Sequence, residues 1–530
     1  MNKKPNQLWA VVLLLGLAFD VLFWHQKTVG VNFAIFTSLG LLGGLYLLFS
    51  NDKKPSQKSL FILIPFVLFA FVSFFRREPL TLFLAYLLSL FCLGVFAVTY
   101  KGGRWIEYSL PDYIQKFIHL FSGLLTGPVR FFTQVRSEQL EQEKDSKKIP
   151  FVPIFRGILI ALPIVACFAY LFASADMVFS KKLADFFELF SFERGSEYFL
   201  RLLIILFWAY VLAGIFLYAA TKSHDEKLIG VEQDFIKPFI GFIEAVIVLG
   251  SVSTLFLLFV LVQFRYFFGG DLNIGIGGFT YSQYARQGFN ELVTVSFLSL
   301  LMILGFSTIT KRESEKEKRV FSGLAVAILL LVMVILVSAF QRLLLAVDWH
   351  GFSRLRVYPQ VFLVWIGILL IAITVLEVSR HERYFTLAIV IAAMGFAVSL
   401  TVFNVDNSIA RHNILRASQG KHFNPSYLAS LSLDAVPALA EGYQDLSLPT
   451  SVHEGIGAAL ICQQYSAQLY NTDLDNWQSF DFSRWRAKRL VESLEVQLDD
   501  YRIIVRGYSA QVRTPNSKII DCVDTSSSYR

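Results

Sequence analysis

The sequence predicts an all-α polytopic transmembrane helix bundle of about eleven spans, with a small α+β C-terminal extramembrane domain. Three observations predict it. Apolar segments, each near the ~20 residues a helix needs to cross a bilayer, recur from the N-terminus to about residue 402. The 530 residues are 55% hydrophobic, with mean hydropathy +0.54, more apolar surface than a water-soluble chain can hide. Lys and Arg gather in alternate connections between the apolar segments, as they do in loops retained on the cytoplasmic side.

Taken in order, spans are expected at about 7–24, 30–50, 59–75 and 79–100, which make up a first region, residues 1–100. Met1–Trp24 is charged and then apolar like a secretory signal. It lacks a small-x-small cleavage site, so it is read as a retained first span. Residues 101–150 form a second, cytoplasmic region. Leu110, Ile114, Phe117, Phe121, Leu124 and Leu125 recur at helical spacing between Pro111 and Gly127-Pro128, which suits a helix lying in the membrane interface or a short re-entrant one. A polar linker, 137–149, follows. The main bundle, residues 151–403, holds spans at about 151–174, 199–220, 237–263, 290–310, 320–342, 358–379 and 383–403. No internal repeat of the kind common in transporters is visible.

The richer set of basic connections includes Lys3, Lys4, Lys53, Lys54, Lys58, the 101–150 segment and the run from Lys311 to Arg319. This bias puts the N-terminus in the cytoplasm, and an odd number of spans then puts the tail, residues 404–530, outside. In the tail, 481–499 reads as an amphipathic helix and 501–505 and 517–523 as strands. Cys92 and Cys167 fall inside spans, where a thiol is a small apolar group. Cys462 and Cys522 fall in the tail, where an oxidising compartment would let them form a disulfide.

A net charge of +7 is accounted for by topology, so nucleic acid is not an expected partner. The expected partners are the lipid bilayer and another envelope protein or a lipid headgroup. No cofactor or metal is expected. His350, His412, His422 and His453 have no metal-ligand spacing, and Gly269–Gly278 lacks the Lys-Ser/Thr of a phosphate loop. No hydrolase or zinc-protease motif occurs.

Two sets of residues are candidates for function. Asp20, Glu244 and Glu377 lie within apolar segments, where a carboxylate is costly. Glu244 is placed about two turns into its span, near 10 Å deep, whereas Asp20 and Glu377 lie close enough to span ends to reach headgroups. The second set is a polar cluster shared by the outer connections: Tyr284, Arg286, Glu291, Arg342, Asp348, Arg356, Asp406 and Arg411, with Arg354 beside them. Salt bridges and helix caps fixing the span ends, a pocket for an anionic or lipid-headgroup ligand, and catalysis are the three readings of this cluster.

Four stretches resemble a known family. They are Phe19-Asp-Val-Leu-Phe-Trp24 with Gly30-Val-Asn-Phe33; Arg156–Pro163 with Ala173-Ser-Ala-Asp-Met-Val-Phe179; Tyr281–Leu292; and Asn404-x-Asp406 with Ile409-Ala-Arg-His-Asn413 and Tyr427–Pro437. In this order, over about residues 10–440, they resemble the bacterial membrane proteins grouped as domain of unknown function 4173 and its relative 4153. The chain departs from that pattern at His350-Gly-Phe-Ser353. The resemblance implies a polytopic inner-membrane protein and carries no activity. Three functional classes remain: a non-catalytic assembly, docking or signalling component; a transporter or channel using Glu244 and the outer cluster; and an envelope enzyme acting on a lipid-linked substrate.

Overall fold

The computed structural model describes residues 5–24, 26, 28–142, 157, 161, 164–165, 168–169, 171–188, 195–224, 228, 237–267, 289–469, 476–506 and 509–522. Among the described residues, ten helices are long and apolar enough to cross a membrane. The fifth expected span, 151–174, lies largely outside them. The chain is a polytopic helical bundle with a small three-stranded region near its C-terminus.

The helices are α1 (Pro5–Phe23), α2 (Val31–Phe49), α3 (Leu63–Phe75), α4 (Pro79–Thr99), α5 (Leu110–Gln142), α6 (Met177–Glu188), α7 (Gly195–Thr221), α8 (Phe242–Phe267), α9 (Phe289–Ile309), α10 (Glu315–His350), α11 (Arg354–Val378) and α12 (Phe385–Phe403). Beyond them lie α13 (Val405–Ser418), α14 (Pro425–Ala429), α15 (Val436–Gln444), α16 (Thr450–Leu469), α17 (Phe482–Ser493) and α18 (Glu495–Leu498). The strands β1 (Arg502–Arg506), β2 (Ser509–Arg513) and β3 (Ile519–Asp521) pair antiparallel in that order, with Val512 opposite both Ile503 and Ile520.

Four boundaries differ from expectation. Helix α5 runs through Gly127-Pro128 instead of ending there. Pro128 leaves the Leu124 carbonyl without its helical hydrogen bond, and the helix nevertheless continues; on the next carbonyl, that of Leu125, the Tyr210 hydroxyl donates. Helix α10 has 36 residues, about 54 Å at 1.5 Å per residue, against a hydrocarbon core of ~30 Å. It starts in a capping box between Ser314 and Glu317 and carries Gln341–His350 as helix rather than loop. The turn to α11 is only residues 351–353, and Gly351 takes φ 83° there, a left-handed geometry that glycine adopts without strain. Helix α8 begins at Phe242, so Glu244 sits in its first turn, not two turns inside. The fourth difference is β2, a strand absent from the sequence expectation.

The chain forms two compact units. The first comprises residues 1–66, 90–105 and 114–226. Its core packs α1 against α2 and α7 through Leu8, Val12, Leu15, Phe36, Ala213 and Phe216. Gly16 lets α1 approach α7 so closely that a Cβ would meet the Ile205 carbonyl oxygen, the small-residue packing membrane helices favour.

The second unit comprises residues 67–89, 106–113 and 227–530. Here α10 is central and packs against α8, α9 and α11, while α11 packs against α12. The expected boundary at 403/404 does not separate two bodies. Leu400, Val405, Ile409, Leu439, Ile456, Val491 and Val512 share one buried cluster, against which Leu80, Leu84, Tyr358 and Phe396 also pack. The tail therefore folds onto span ends of its own unit. Its helices α13, α15 and α16 build most of that core, and a disulfide joins Cys462 of α16 to Cys522 beside β3, with Cα atoms 5.1 Å apart.

Candidate functional site

A group of buried charge in the second unit surrounds the Arg76-Arg77-Glu78 turn between α3 and α4. Glu78, Asp406, Asp434 and Asp481 are all essentially inaccessible to solvent. A buried carboxylate needs several donors to replace water, and each of these has them. Asp434 Oδ2 accepts the backbone N–H of Arg77 at 2.7 Å and of Glu78 at 2.9 Å, and its Oδ1 accepts the Ser483 hydroxyl. Glu78 accepts the N–H groups of Leu80 and Thr81 and the hydroxyls of Thr81 and Tyr358. Asp481 caps α17 by accepting Arg484 N–H and binds the Arg77 guanidinium. Asp406 accepts two guanidinium N–H groups of Arg354 and the Ser432 N–H.

Local sequence places each of these groups. Asn404 takes a left-handed conformation, φ 46°, that asparagine tolerates better than most residues. It both ends α12 and starts α13, which turns Asp406 back toward Arg354. Asn413 lies two turns further along α13. Its side chain accepts Phe352 N–H at 2.9 Å and donates to Phe352 O at 2.8 Å, clamping the 351–353 turn. Tyr427 Oη accepts the Arg354 N–H at 2.8 Å, and burial pushes its phenol up to about 12. Ser432 caps the short turn that holds Asp434. The Asn404–Asn413 and Tyr427–Pro437 motifs are thus one hydrogen-bonded assembly.

Arg76 donates through Nε to the Thr401 carbonyl at 2.8 Å. Burial lowers its pKa, Asp434 opposes that, and Arg486 adds to it. Burial raises the Asp434 pKa, against the Ser483 hydroxyl, the Arg77 N–H and the Arg76 charge.

The candidate residues divide around this assembly. Asp406 is at its centre. Asp348 and Arg356 flank it. Asp348 is exposed and bonds Lys421 at 2.8 Å and Arg416 at 3.5 Å, and Arg356 donates to Gly351 O at 2.9 Å. Arg411 is exposed and pairs with Glu441 instead. Glu291 is exposed in the first turn of α9, and Arg342 is half-buried along α10. Tyr284 and Arg286 lie outside the described residues.

The apolar-segment acids also differ from expectation. Glu244 is exposed and accepts its own turn's Gly241 N–H at 3.0 Å, capping the start of α8 rather than lying two turns inside it. Asp20 is buried and takes a two-pronged bond from Arg201, Nε to Oδ2 at 3.0 Å and Nη2 to Oδ2 at 2.6 Å. Arg201 in turn lies over the Trp24 ring, whose indole N–H donates to Glu197. Glu377 is buried, with both carboxylate oxygens shielded from solvent, rather than reaching outward.

Sequence reading missed Arg76, Arg77, Glu78, Asp434 and Asp481 as site residues. The available signal was three consecutive charges between two apolar spans. Among the described residues, no group of three or more His, Cys, Asp or Glu is arranged to hold a metal.

The ten apolar helices found among the described residues define a multi-pass helical membrane protein. The family described as Domain of unknown function (DUF4153) matches residues 63–442, and the chain belongs to it. No curated protein and no solved structure gives a match.

Proposed function

We propose that the chain is a non-catalytic component of the bacterial envelope, held in the cytoplasmic membrane, whose C-terminal segment offers a fixed docking surface to another envelope protein. The carrying observation is the bonding of the buried charges. Glu78, Asp406, Asp434 and Asp481 spend their oxygens on backbone N–H groups, hydroxyls and the guanidiniums of Arg77 and Arg354. Groups held this way lock segments together, whereas a general acid or base must be free to exchange its proton with substrate. The transporter reading loses support because Glu244 is a helix-cap residue. Of the residues the enzyme reading would use, Asp348, Arg356, Asp406 and Arg411 are already committed to fixed bonds.

The excess of Lys and Arg in one set of connections and the Cys462–Cys522 bridge support a cytoplasmic N-terminus and an extracytoplasmic tail. We also propose that the chain is a member of the related group 4173, on the motifs named above. The test is crosslinking in native membranes with the intact chain and with Arg77→Ala. Docking requires a discrete crosslinked species that disappears in the variant while insertion is retained. A species that persists unchanged, or none with the intact chain, rejects it. A reporter fused after Arg530 that is active in the cytosol rejects the orientation.

A further inference from the structure

A membrane-facing groove and a basic aromatic helix meet at one residue, Phe75. The groove, about 350 Å³, is lined by Val67, Leu68, Phe71, Val72 and Phe75 on α3 and by Val398, Thr401 and Val402 at the end of α12. Its lining is almost wholly apolar, and both walls belong to candidate membrane spans. In a bilayer such a groove takes up hydrocarbon rather than water.

Phe75 is the last residue of its span, and its ring lies 6.3 Å from that of Phe482, the first residue of α17. Phe74 and Phe480 make a second contact at 5.7 Å. These contacts fix the start of α17 at the level where the span leaves the hydrocarbon, the depth at which aromatic residues concentrate.

Helix α17 carries Arg484, Arg486, Lys488 and Arg489 against a single acid, Glu492. Arg484 is committed to Asp481, and Lys488 lies 3.8 Å from Glu492. Among the described residues, Arg486 and Arg489 form no salt bridge. Both are exposed, and Arg489 stacks over Trp485 at 4.7 Å. At helical spacing, Phe482, Trp485, Arg486 and Arg489 share one face. Arg486 also lies near enough to Arg76 to disfavour its charge, and Arg76 is bonded to Thr401 of the groove wall. Arg486, placed beside Arg76 at the groove wall, and Arg489, one helical turn further on, present two cations next to an apolar groove, which is complementary to an anion attached to a hydrocarbon chain.

We propose that this place is a binding site for an anionic phospholipid of the surrounding bilayer, with an acyl chain in the α3–α12 groove and the headgroup phosphate held by Arg486 and Arg489. The site does not depend on the docking reading, since it requires only that the chain be a membrane protein.

The experiment uses the purified full chain in a neutral detergent, melted with added phosphatidylglycerol or phosphatidylcholine. Native mass spectrometry counts the lipid retained. Phosphatidylglycerol is expected to raise the melting temperature and to remain bound, and phosphatidylcholine is not. Arg486→Gln/Arg489→Gln is expected to lose that rise while melting normally without lipid. Val402→Trp, which fills the groove, is expected to lose it with the cations intact, and it serves as the test should the double variant fail to fold. An equal rise with both lipids, or a full rise in either variant, overturns the proposal.

Discussion

The guanidinium of Arg354 meets the carboxylate of Asp406 side-on, with Nε 2.8 Å from Oδ1 and Nη2 bonded to Oδ2, at the junction of α11 with the tail helix α13. Asp406 is completely buried, and the two residues are 52 positions apart. A planar fork matched to a planar carboxylate fixes both distance and angle, so this pair determines how α13 leaves the end of α12.

Removing one partner leaves the other charge without compensation. Asp406→Ala is expected to destabilise the second unit by about 3–5 kcal/mol, read as the loss in melting temperature of the purified chain in detergent. Arg354→Lys is expected to recover only part of wild-type stability, because a single ammonium cannot make both bonds. Full stability in Arg354→Lys would mean that charge alone, and not the fork, holds the junction.

The Cys462–Cys522 bridge closes a loop with a sequence separation of 60. On the chain-entropy account, Cys462→Ser is expected to cost about 4 kcal/mol. Denaturing the chain in the presence of a maleimide polymer should label Cys92 and Cys167 alone until a reductant is added. Labelling of all four cysteines without reductant would show that the bridge is absent in the cell.

Gly395 of α12 lies so close to the Trp365 ring of α11 that a Cβ would overlap it, whereas a Cβ at Gly323 of α10 would meet nothing. Gly395→Leu is therefore expected to cost about 1–3 kcal/mol through overpacking, while Gly323→Leu stays near wild type. Trp365 also donates to the Ser399 hydroxyl at 2.9 Å, so its ring cannot turn away without losing that bond. Equal melting temperatures for the two variants would show that α11 and α12 do not pack this closely.

Burial raises the Tyr427 phenol from 10 to about 12. With the folded value above the unfolded one, the associated stability is complete below pH 10 and falls as pH rises through 12. Tyr427→Phe, which loses only the oxygen that accepts Arg354 N–H, is expected to be less stable at neutral pH. Its stability should fall less steeply than wild type across that alkaline window. Parallel curves would place the Tyr427 phenol in water.

Asp20→Asn leaves Arg201 with a neutral acceptor in place of its two-pronged carboxylate. The variant is expected to lower the melting temperature of the first unit, and Asp20→Asn/Arg201→Gln to cost less than the two single losses combined. Simple additivity would mean that the two side chains do not interact.

Much of the architecture was legible because membrane spans announce themselves by length and hydropathy, a property of ~20 consecutive residues. The sequence by itself determined that the chain is a helical multi-pass protein, where most spans begin, and that charge collects at their ends. It misplaced the limits of α5, α8 and α10, because a proline or a polar residue ends a helix only when no neighbour satisfies the freed groups. In α5 the Tyr210 hydroxyl donates to the Leu125 carbonyl, next to the one that Pro128 leaves free, and that bond joins positions 85 apart. The partners of the buried charges were decided only by tertiary structure. Arg77 and Asp434 are 357 positions apart, and Arg77 and Asp481 are 404 apart. No local pattern tells a carboxylate which distant donor it will meet. That choice is made when α13, α15 and α17 pack onto the span ends of their own unit, and burial then forces each charge to find a partner within reach.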